Sequence, residues 1–279
     1  MTTPLIICGV DERYAHALQT LMRSIAAAHG PATASLRMRV IYAELTGAAR
    51  REIANLAARI RLGLDFYEVE AEPEHPVGGW LSPATYLRLA IPEAAAGAER
   101  VLYLDCDMLV QADLRPLLDA DLGGAPFGAV RDAHNPIVGD DWALPGHEAL
   151  GIPAGRTYFN AGVMLFDLDR CAATGLFTKA TRFLNEHPDQ LQLWDQDALN
   201  VAADDDWHRL DPAWNVFATS PLTELPDFVH NAEAGPLEDL LADEAHAKIL
   251  HFAGPNKPWQ DSYPAHSLRE RWRSFAGAI

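Results

Sequence analysis

Residues 101–107 read Val-Leu-Tyr-Leu-Asp-Cys-Asp, four apolar residues followed at once by an acidic triplet. A short continuous apolar run is typical of a strand that is buried on both faces of a parallel sheet. Ligands of such sheets bind at the carboxyl ends of the strands. Asp105 and Asp107 are therefore expected at a ligand crevice. Because residues two apart on a strand project to the same side, their carboxylates should lie close together.

The paired carboxylates predict a divalent cation. Two carboxylates held together repel each other unless a cation or a proton separates them. Mg²⁺ and Mn²⁺ prefer oxygen ligands and commonly bridge a carboxylate to a phosphate. Asp-x-Asp is also a common pattern without a metal. The alternative is that the triplet opens a loop or caps a helix near Leu114.

Strand and helix patterns alternate along the chain. We predict strands at residues 5–10, 38–43, 66–69, 101–104, 127–130 and 162–166, and helices at residues 14–29, 48–62, 82–92, 177–185 and 196–203. The β-α-β-α-β order of the first 70 residues predicts an α/β fold, a Rossmann-like, mixed but mostly parallel sheet with helices on both faces. Beyond Trp207 the pattern is irregular. We expect a single domain over residues 1–260 and a C-terminal extension over residues 261–279.

Composition restricts the partners. The chain has 22 Lys and Arg against 39 Asp and Glu, a net charge of −17, which should repel nucleic acid. A small phosphorylated ligand can still bind where a metal ion reverses the local field. Cys8 and Cys106 lie in apolar runs and no CxxC pair occurs. With no signal-peptide pattern and no apolar run of about 20 residues, these features predict a soluble, cytoplasmic protein.

A second segment complements the acidic triplet. Residues 249–259 read Ile-Leu-His-Phe-Ala-Gly-Pro-Asn-Lys-Pro-Trp. His251 suits Mn²⁺ better than Mg²⁺, Gly254 would let the backbone approach a phosphate, and Lys257 would supply a point charge. The alternative is a Gly-Pro turn with a solvated lysine and a buried tryptophan. Together, the triplet and this segment offer what a metal-bound diphosphate leaving group needs.

Several motifs in a fixed order resemble glycosyltransferase family 8, the group that contains bacterial lipopolysaccharide galactosyl- and glucosyltransferases. The motifs are residues 11–14 (Asp-Glu-Arg-Tyr), 86–89, 101–107, 158–166, 195–200 and 251–259, and the match spans roughly residues 5–260. The resemblance implies a GT-A fold, a UDP-sugar donor, Mn²⁺ (with Mg²⁺ as the second candidate) and retention of anomeric configuration.

The resemblance also implies site residues. The implied metal ligands are Asp105, Asp107 and His251. The implied uridine pocket is formed by Gly9, Asp11, which would accept from the uracil N–H, and Tyr14, which would stack on the base. Arg13 departs from the small polar residue usual in the family, and Cys106 would lie near the ribose.

The implied contacts with the donor sugar are Arg88, Asn160, Ala161, Asp195 and Gln196, with Gln196 nearest the anomeric carbon. Structural roles remain open for three of these residues. Arg88 would alternatively be an exposed helix residue, Asp195 the N-cap of the helix through Leu199, and Asn160 a turn residue before a strand.

Two retaining mechanisms are open. A covalent route needs a carboxylate under the anomeric carbon, as in retaining glycosidases. The resemblance places an amide, Gln196, there, and an amide is a poor nucleophile. We therefore expect same-face attack, in which stabilisation of the leaving UDP is the largest effect. Asp195 is the alternative nucleophile.

The acceptor, a saccharide or a glycolipid, is not specified by any motif. The C-terminal cluster Arg269, Arg271, Trp272, Arg273 and Phe275 would allow weak peripheral contact with the inner membrane face, unless Trp272 packs on the core.

Two other functions are alternatives to a glycosyltransferase. A nucleotidyltransferase should show a Gly-rich loop after the first strand, which is absent here, and a non-catalytic UDP-sugar-binding protein would not need Asp195 and Gln196.

Overall fold

The computed structural model describes residues 5–70 and 83–277. The strands within these ranges are β1 (Leu5–Gly9), β2 (Arg37–Tyr42), β3 (Gly63–Glu68), β4 (Arg100–Leu104), β5 (Met108–Val110), β6 (Phe127–Arg131), β7 (Phe159–Asp167), β8 (His208–Arg209), β9 (Val216–Phe217) and β10 (Ile249–His251). The α-helices are α1 (Ala15–His29), α2 (Gly47–Ile60), α3 (Ile91–Ala94), α4 (Arg115–Leu118), α5 (Leu168–Thr174), α6 (Leu176–Glu186), α7 (Asp195–Ala203), α8 (Leu237–Asp243) and α9 (Ser267–Ala276).

The main sheet has the strand order β3-β2-β1-β4-β7-β6-β8. Strands β1 to β4 run parallel to one another, and β7 is antiparallel to both β4 and β6. The predicted mixed, mostly parallel α/β sheet is confirmed. Since β6 runs in the same direction as β4, both strands end at the same edge of the sheet.

The two faces of the sheet carry separate parts of the core, because successive side chains of a strand point to opposite faces. On β1, Ile6 and Cys8 pack with residues of α1 and α2, whereas Leu5 and Ile7 pack with residues of α6 and α7. The central strands β4 and β7 are buried over almost their whole length. Their apolar runs therefore reflect burial on both sides.

A second, three-stranded sheet has the order β5-β10-β9. Strand β10 is antiparallel to β5, and His251 lies opposite Met108, the residue that follows the acidic triplet. This pairing brings the histidine of the second segment to the end of β4, across almost 150 positions of sequence.

The helix expected over residues 82–92 is divided in the structure into a 3₁₀ helix and the short helix α3. Ser82 lies outside the described residues, and Pro83–Ala90 is a 3₁₀ helix. Pro92 does not end a helix but lies in the first turn of α3, where its missing N–H would have no intrahelical partner. The expected irregular C-terminal part also contains regular elements, since α8, β10 and α9 all follow Trp207.

Helix α9 packs on the core through Trp272, whose side chain is buried. Its ring lies 5.1 Å from the ring of Trp259 and 5.5 Å from that of Phe252, between centroids. This is the packing alternative to membrane contact, because the buried tryptophan is not available to a lipid surface. None of the described helices combines the length and apolarity that a membrane span requires.

We expect Trp272→Ala to destabilise the protein by about 3–5 kcal/mol, the usual cost of truncating a buried aromatic side chain. Urea unfolding followed by circular dichroism measures this change. Arg273→Ala, one position along on the exposed face of the same helix, is the matched control and should change stability by less than about 1 kcal/mol. Equal effects of the two substitutions would contradict the packing role of Trp272.

Candidate active site

Asp105, Asp107 and His251 form a cluster in which one ligand atom of each residue lies within 4.8 Å of the others. Backbone hydrogen bonds fix the cluster on both sides. The Asp105 N–H donates to the Gly162 carbonyl at 2.9 Å, and the Phe252 N–H donates to the Asp107 carbonyl at 3.0 Å. The end of β4 is thus held between β7 and the segment that follows β10.

The orientation of the His251 ring follows from a chain of hydrogen bonds. The Gly162 N–H, which can only donate, is 2.9 Å from Asn160 Oδ1, so this atom is an acceptor. Asn215 Nδ2 donates to the same oxygen at 2.8 Å, which leaves Asn215 Oδ1 to face His251 Nδ1 at 2.9 Å. Nδ1 therefore carries the proton, and Nε2 presents its lone pair 3.4 Å from Asp107 Oδ1. In this tautomer Nε2 carries no proton and can serve as a metal ligand.

Lys257 is buried and forms an ion pair with Asp107. Its ammonium group also donates to the Phe252 carbonyl at 2.8 Å. Burial raises the pKa of the Asp107 carboxyl, but the positive charge of Lys257, which also donates a hydrogen bond to it, outweighs burial and holds this pKa well below its usual range. The alternative of a solvated lysine is wrong.

Arg88 is also buried, so the alternative of an exposed helix residue is wrong. Its guanidinium joins two carboxylates, with Nη2 2.9 Å from Asp105 Oδ1 and Nε 2.7 Å from Asp195 Oδ2. It lies over the Tyr103 ring, 4.6 Å from the centroid. Burial lowers the pKa of Arg88, but the negative charges of Asp105 and Asp195 raise it by more than burial lowers it. The net effect is a raised pKa, so the arginine stays charged.

Asp195 does not cap helix α7. It is the first residue of the helix after Trp194, and its carboxylate accepts from the Thr85 hydroxyl and pairs with Arg88. Burial raises the pKa of this carboxyl to about 6, although Arg88 and Thr85 lower it. The Asp195 side chain therefore lines the cavity and does not cap the helix.

The Asp197 side chain fixes the start of α7. It accepts from the Tyr158 hydroxyl and from the backbone N–H groups of Gln192 and Leu193, the latter two at 2.7 Å. Burial raises its pKa to about 7, against these three donors. By holding the preceding loop, Asp197 determines where its neighbours in the sequence, Asp195 and Gln196, enter the cavity.

Gln196 is held in one orientation. Its Oε1 accepts from the Ala161 N–H at 2.9 Å and from Asn160 Nδ2 at 3.0 Å, and its Nε2 donates to Asp132 Oδ2 at 3.2 Å. The Asn160 amide thus contacts Gln196 through Nδ2 and Asn215, the partner of His251, through Oδ1. These contacts give Asn160 a role in the site beyond that of a turn residue.

Asp132 was missed by the sequence reasoning. Its Oδ1 accepts from the N–H groups of His134 and Asn135 at 2.8 Å, and its Oδ2 accepts from Asn160 and Gln196. It directly follows β6, as Asp105 directly follows β4, so the strand-end rule was the signal that could have found it. Asn215 was missed as well, and no motif surrounds it.

The implied uridine residues lie together beside β1. Gly9 and Tyr14 line the same cavity as the metal cluster, and the Tyr14 ring packs edge-on against Trp259 at 5.5 Å. Asp11 caps the short 3₁₀ helix Glu12–Tyr14 by accepting from the Tyr14 N–H at 3.0 Å. The Arg13 side chain is 63% exposed, so it turns towards solvent.

One cavity of about 760 Å³ connects these groups. All the expected donor-binding residues except Asp11 and Ala161 line it, including Cys106, whose thiol donates to the Gly9 carbonyl at 3.3 Å, and Gly254, whose φ is +87°. Ala161 contributes through its backbone, which contacts both Arg88 and Gln196.

Comparisons with known proteins agree on one family. Residues 5–262 match the family described as Glycosyl transferase family 8. General stress protein A of Bacillus subtilis (strain 168) is 28% identical over 282 residues, covering 96% of this chain and 91% of that protein. Lipopolysaccharide 1,2-glucosyltransferase of Escherichia coli (strain K12) is 29% identical and covers 75% of this chain and 59% of that protein. The crystal structure of the galactosyltransferase LgtC in complex with donor and acceptor sugar analogs has a TM-score of 0.76 and 28% identity, covering 99% of this chain and 96% of that one.

We expect Gly162→Ala to weaken the binding of a divalent cation to the Asp105, Asp107 and His251 cluster by at least about tenfold, the usual cost of disturbing the support of a metal ligand. An added Cβ would lie 2.6 Å from His251 Cε1 and 2.9 Å from Asn160 Oδ1, both fixed by the network above. Titration calorimetry measures the affinity. Gly155→Ala, whose added Cβ meets no atom within 4 Å, is the control and should bind as the wild type does. An unchanged affinity in the Gly162 variant would contradict this role of the close packing.

Proposed function

Since the chain belongs to glycosyltransferase family 8, we propose that it transfers a hexose, galactose or glucose, from a UDP-sugar to a hydroxyl of a saccharide or glycolipid with retention of configuration. The observation that carries the proposal is the placement of two groups of residues on one cavity. The Asp105, Asp107 and His251 cluster lines it, and so do the Arg88–Asp195 ion pair and Gln196.

The cluster fits Mn²⁺, with Mg²⁺ as the second candidate. It offers two carboxylates and one neutral imidazole nitrogen, a donor set that Mn²⁺ accepts and Mg²⁺ accepts less well. Bound between these residues, the ion would supply Lewis-acid stabilisation of the negative charge on the departing diphosphate. Lys257, already placed beside Asp107, would add a positive charge to the same region.

The residues around the donor sugar favour same-face attack over a covalent intermediate. Gln196 Oε1 already accepts two N–H groups, so attack on the anomeric carbon would cost both hydrogen bonds. The Asp195 carboxylate is engaged by Arg88 and by Thr85. These contacts suit a role in positioning the sugar ring.

In the reaction that we propose, the bond between the anomeric carbon and the β-phosphate oxygen breaks, and the acceptor oxygen bonds to the same face of that carbon. The acceptor proton passes to the β-phosphate of the leaving UDP. Arg88 and Asp195 would hold the sugar, and the Gln196 amide, fixed by Asp132 and Ala161, would face the developing positive charge.

Donor hydrolysis tests the proposal without a known acceptor. The purified chain is incubated with a panel of UDP- and GDP-sugars, with Mn²⁺ or with EDTA, and release of the nucleotide is followed by chromatography. We expect hydrolysis of UDP-galactose or UDP-glucose that EDTA abolishes. Release from GDP-sugars alone, or release that EDTA does not affect, would overturn the proposed donor or the proposed metal.

We expect Asp107→Asn to lower turnover at least about a hundredfold, equivalent to about 2.7 kcal/mol in the barrier, because it removes one ligand charge and preserves the side-chain shape. Calorimetry should show a parallel loss of Mn²⁺-dependent UDP binding. Asp189→Asn changes an exposed aspartate that does not line the cavity and is the control. Wild-type turnover in the Asp107 variant would rule out this residue as a ligand.

We expect Gln196→Ala to be slower by about ten- to a thousandfold, as on loss of one oriented dipole, and to keep a retaining product. Asp195→Ala should be severely impaired, since it also removes one of the two carboxylates that pair with Arg88. Rates do not separate the two mechanisms, so the informative measurement is the product of the Asp195 variant with azide. A glycosyl azide of inverted configuration from this variant, or a sugar trapped on Asp195 of the wild-type enzyme and detected by mass spectrometry, would establish the covalent route instead.

A further inference from the structure

The charges that line the cavity are strongly unequal. The aspartates on its wall are Asp105, Asp107, Asp132, Asp140, Asp141, Asp195 and Asp227, against one arginine and one lysine. Residues 71–82, which the structure does not describe, contain no lysine or arginine in their sequence. On the described wall, aspartates thus outnumber lysine and arginine by seven to two.

Both cations of the wall are already paired. Arg88 bridges Asp105 and Asp195, and Lys257 pairs with Asp107. A divalent metal ion and the two negative charges of a UDP-sugar diphosphate would cancel each other. An acceptor thus enters a cavity that keeps its negative excess, and a second anion would have no cation to meet there.

Two segments of the chain, residues 139–142 and 222–229, contribute lining residues to the cavity wall and are called the rim segments. They contain Asp140, Asp141, Glu224 and Asp227 and no basic residue. Asp141 and Asp227 are exposed, and within the described chain no hydrogen bond or ion pair occupies either carboxylate. Like-charge repulsion from such a rim discriminates against anionic ligands.

The same rim segments carry the large hydrophobic side chains that are exposed in the described part of the chain. Trp142 is 63% exposed and Val229 is 86% exposed, and both line the cavity. Leu225 and Phe228 line it beside them. Exposed apolar side chains gathered at one site mark a surface that a ligand covers. An indole ring offers an apolar face to the C–H groups of a sugar ring.

We infer that the acceptor of this enzyme is an uncharged glycoside with an apolar aglycone, and that acceptors with a carboxylate or phosphate beside the reacting sugar are rejected. The inference rests on the proposed function, because it assigns the second substrate of the same cavity. Trp142 would contact the sugar ring, Val229 would contact the aglycone, and Asp141 and Asp227 would repel anions.

The test measures binding to the wild-type protein saturated with Mn²⁺ and UDP, by saturation-transfer NMR with titration. The probes are 4-nitrophenyl galactoside, glucoside and lactoside, the matching methyl glycosides, and 4-nitrophenyl glucuronide. We expect at least one nitrophenyl hexoside to bind at least about tenfold more tightly than the glucuronide and more tightly than its methyl counterpart. Equal or tighter binding of the glucuronide, or no binding of any hexoside, overturns the inference.

Variants connect this preference to the rim. Asp141→Asn combined with Asp227→Asn should reduce the preference for hexoside over glucuronide to within about threefold, whereas Asp189→Asn should leave it as in the wild type. Trp142→Ala combined with Val229→Ala should remove the preference for nitrophenyl over methyl glycosides. The corresponding double variant with Trp142→Phe in place of Trp142→Ala should keep part of this preference. Preferences that these rim variants do not change would overturn the assignment.

Calorimetric titration of UDP in the same samples keeps the two proposals apart. Failure of the donor site would appear as absent UDP binding with Mn²⁺. Failure of the acceptor inference would appear as a wrong preference in a complex that does bind UDP.

Discussion

The site depends on two carboxylates at the end of β4, kept side by side by buried cations. Asp105 is paired with Arg88 and Asp107 with Lys257. The free-energy cost of removing two charged groups from water can exceed the gain from their mutual attraction, so a buried ion pair is weak evidence of a contribution to stability. Their value here is positional. Because each carboxylate is already held by a cation, binding of the divalent ion and diphosphate that we propose would need little reorganisation of either side chain.

A second constraint passes through Asn160, which joins the metal side of the cavity to the sugar side. One end of its amide receives Asn215, which fixes the tautomer of His251, and the other contacts the fixed amide of Gln196. In this network, the hydrogen bonds that one side chain makes determine whether the next side chain donates or accepts. Such networks specify one arrangement, because the loss of any member leaves a buried polar group unsatisfied.

Much of the fold could be predicted from the sequence, because continuous apolar runs are a direct consequence of burial on both faces of a sheet. The strand-end rule also located Asp105 and Asp107. Short strands such as β5 and β10 have too few residues for a pattern, so His251 was combined with the triplet on the chemistry of its side chain and on the family resemblance, without a prediction of the strands that bring them together. The burial of Arg88 and Lys257 could not be predicted, since it depends on partners that are distant in sequence. Asn215 has no local signal at all, because its role is defined by hydrogen bonds to residues on other elements.

The charge distribution of the cavity has the same origin. A chain with a net charge of −17 would bind a nucleotide diphosphate only where cations reverse the local field. The structure gathers its two cavity cations at the acidic triplet and the Asp195 carboxylate, where their charge is largely neutralised by their aspartate partners. Concentrating positive charge in this way leaves the rim acidic. A divalent ion at the triplet would supply the positive charge for one anion, the proposed donor, and the acidic rim would disfavour a second.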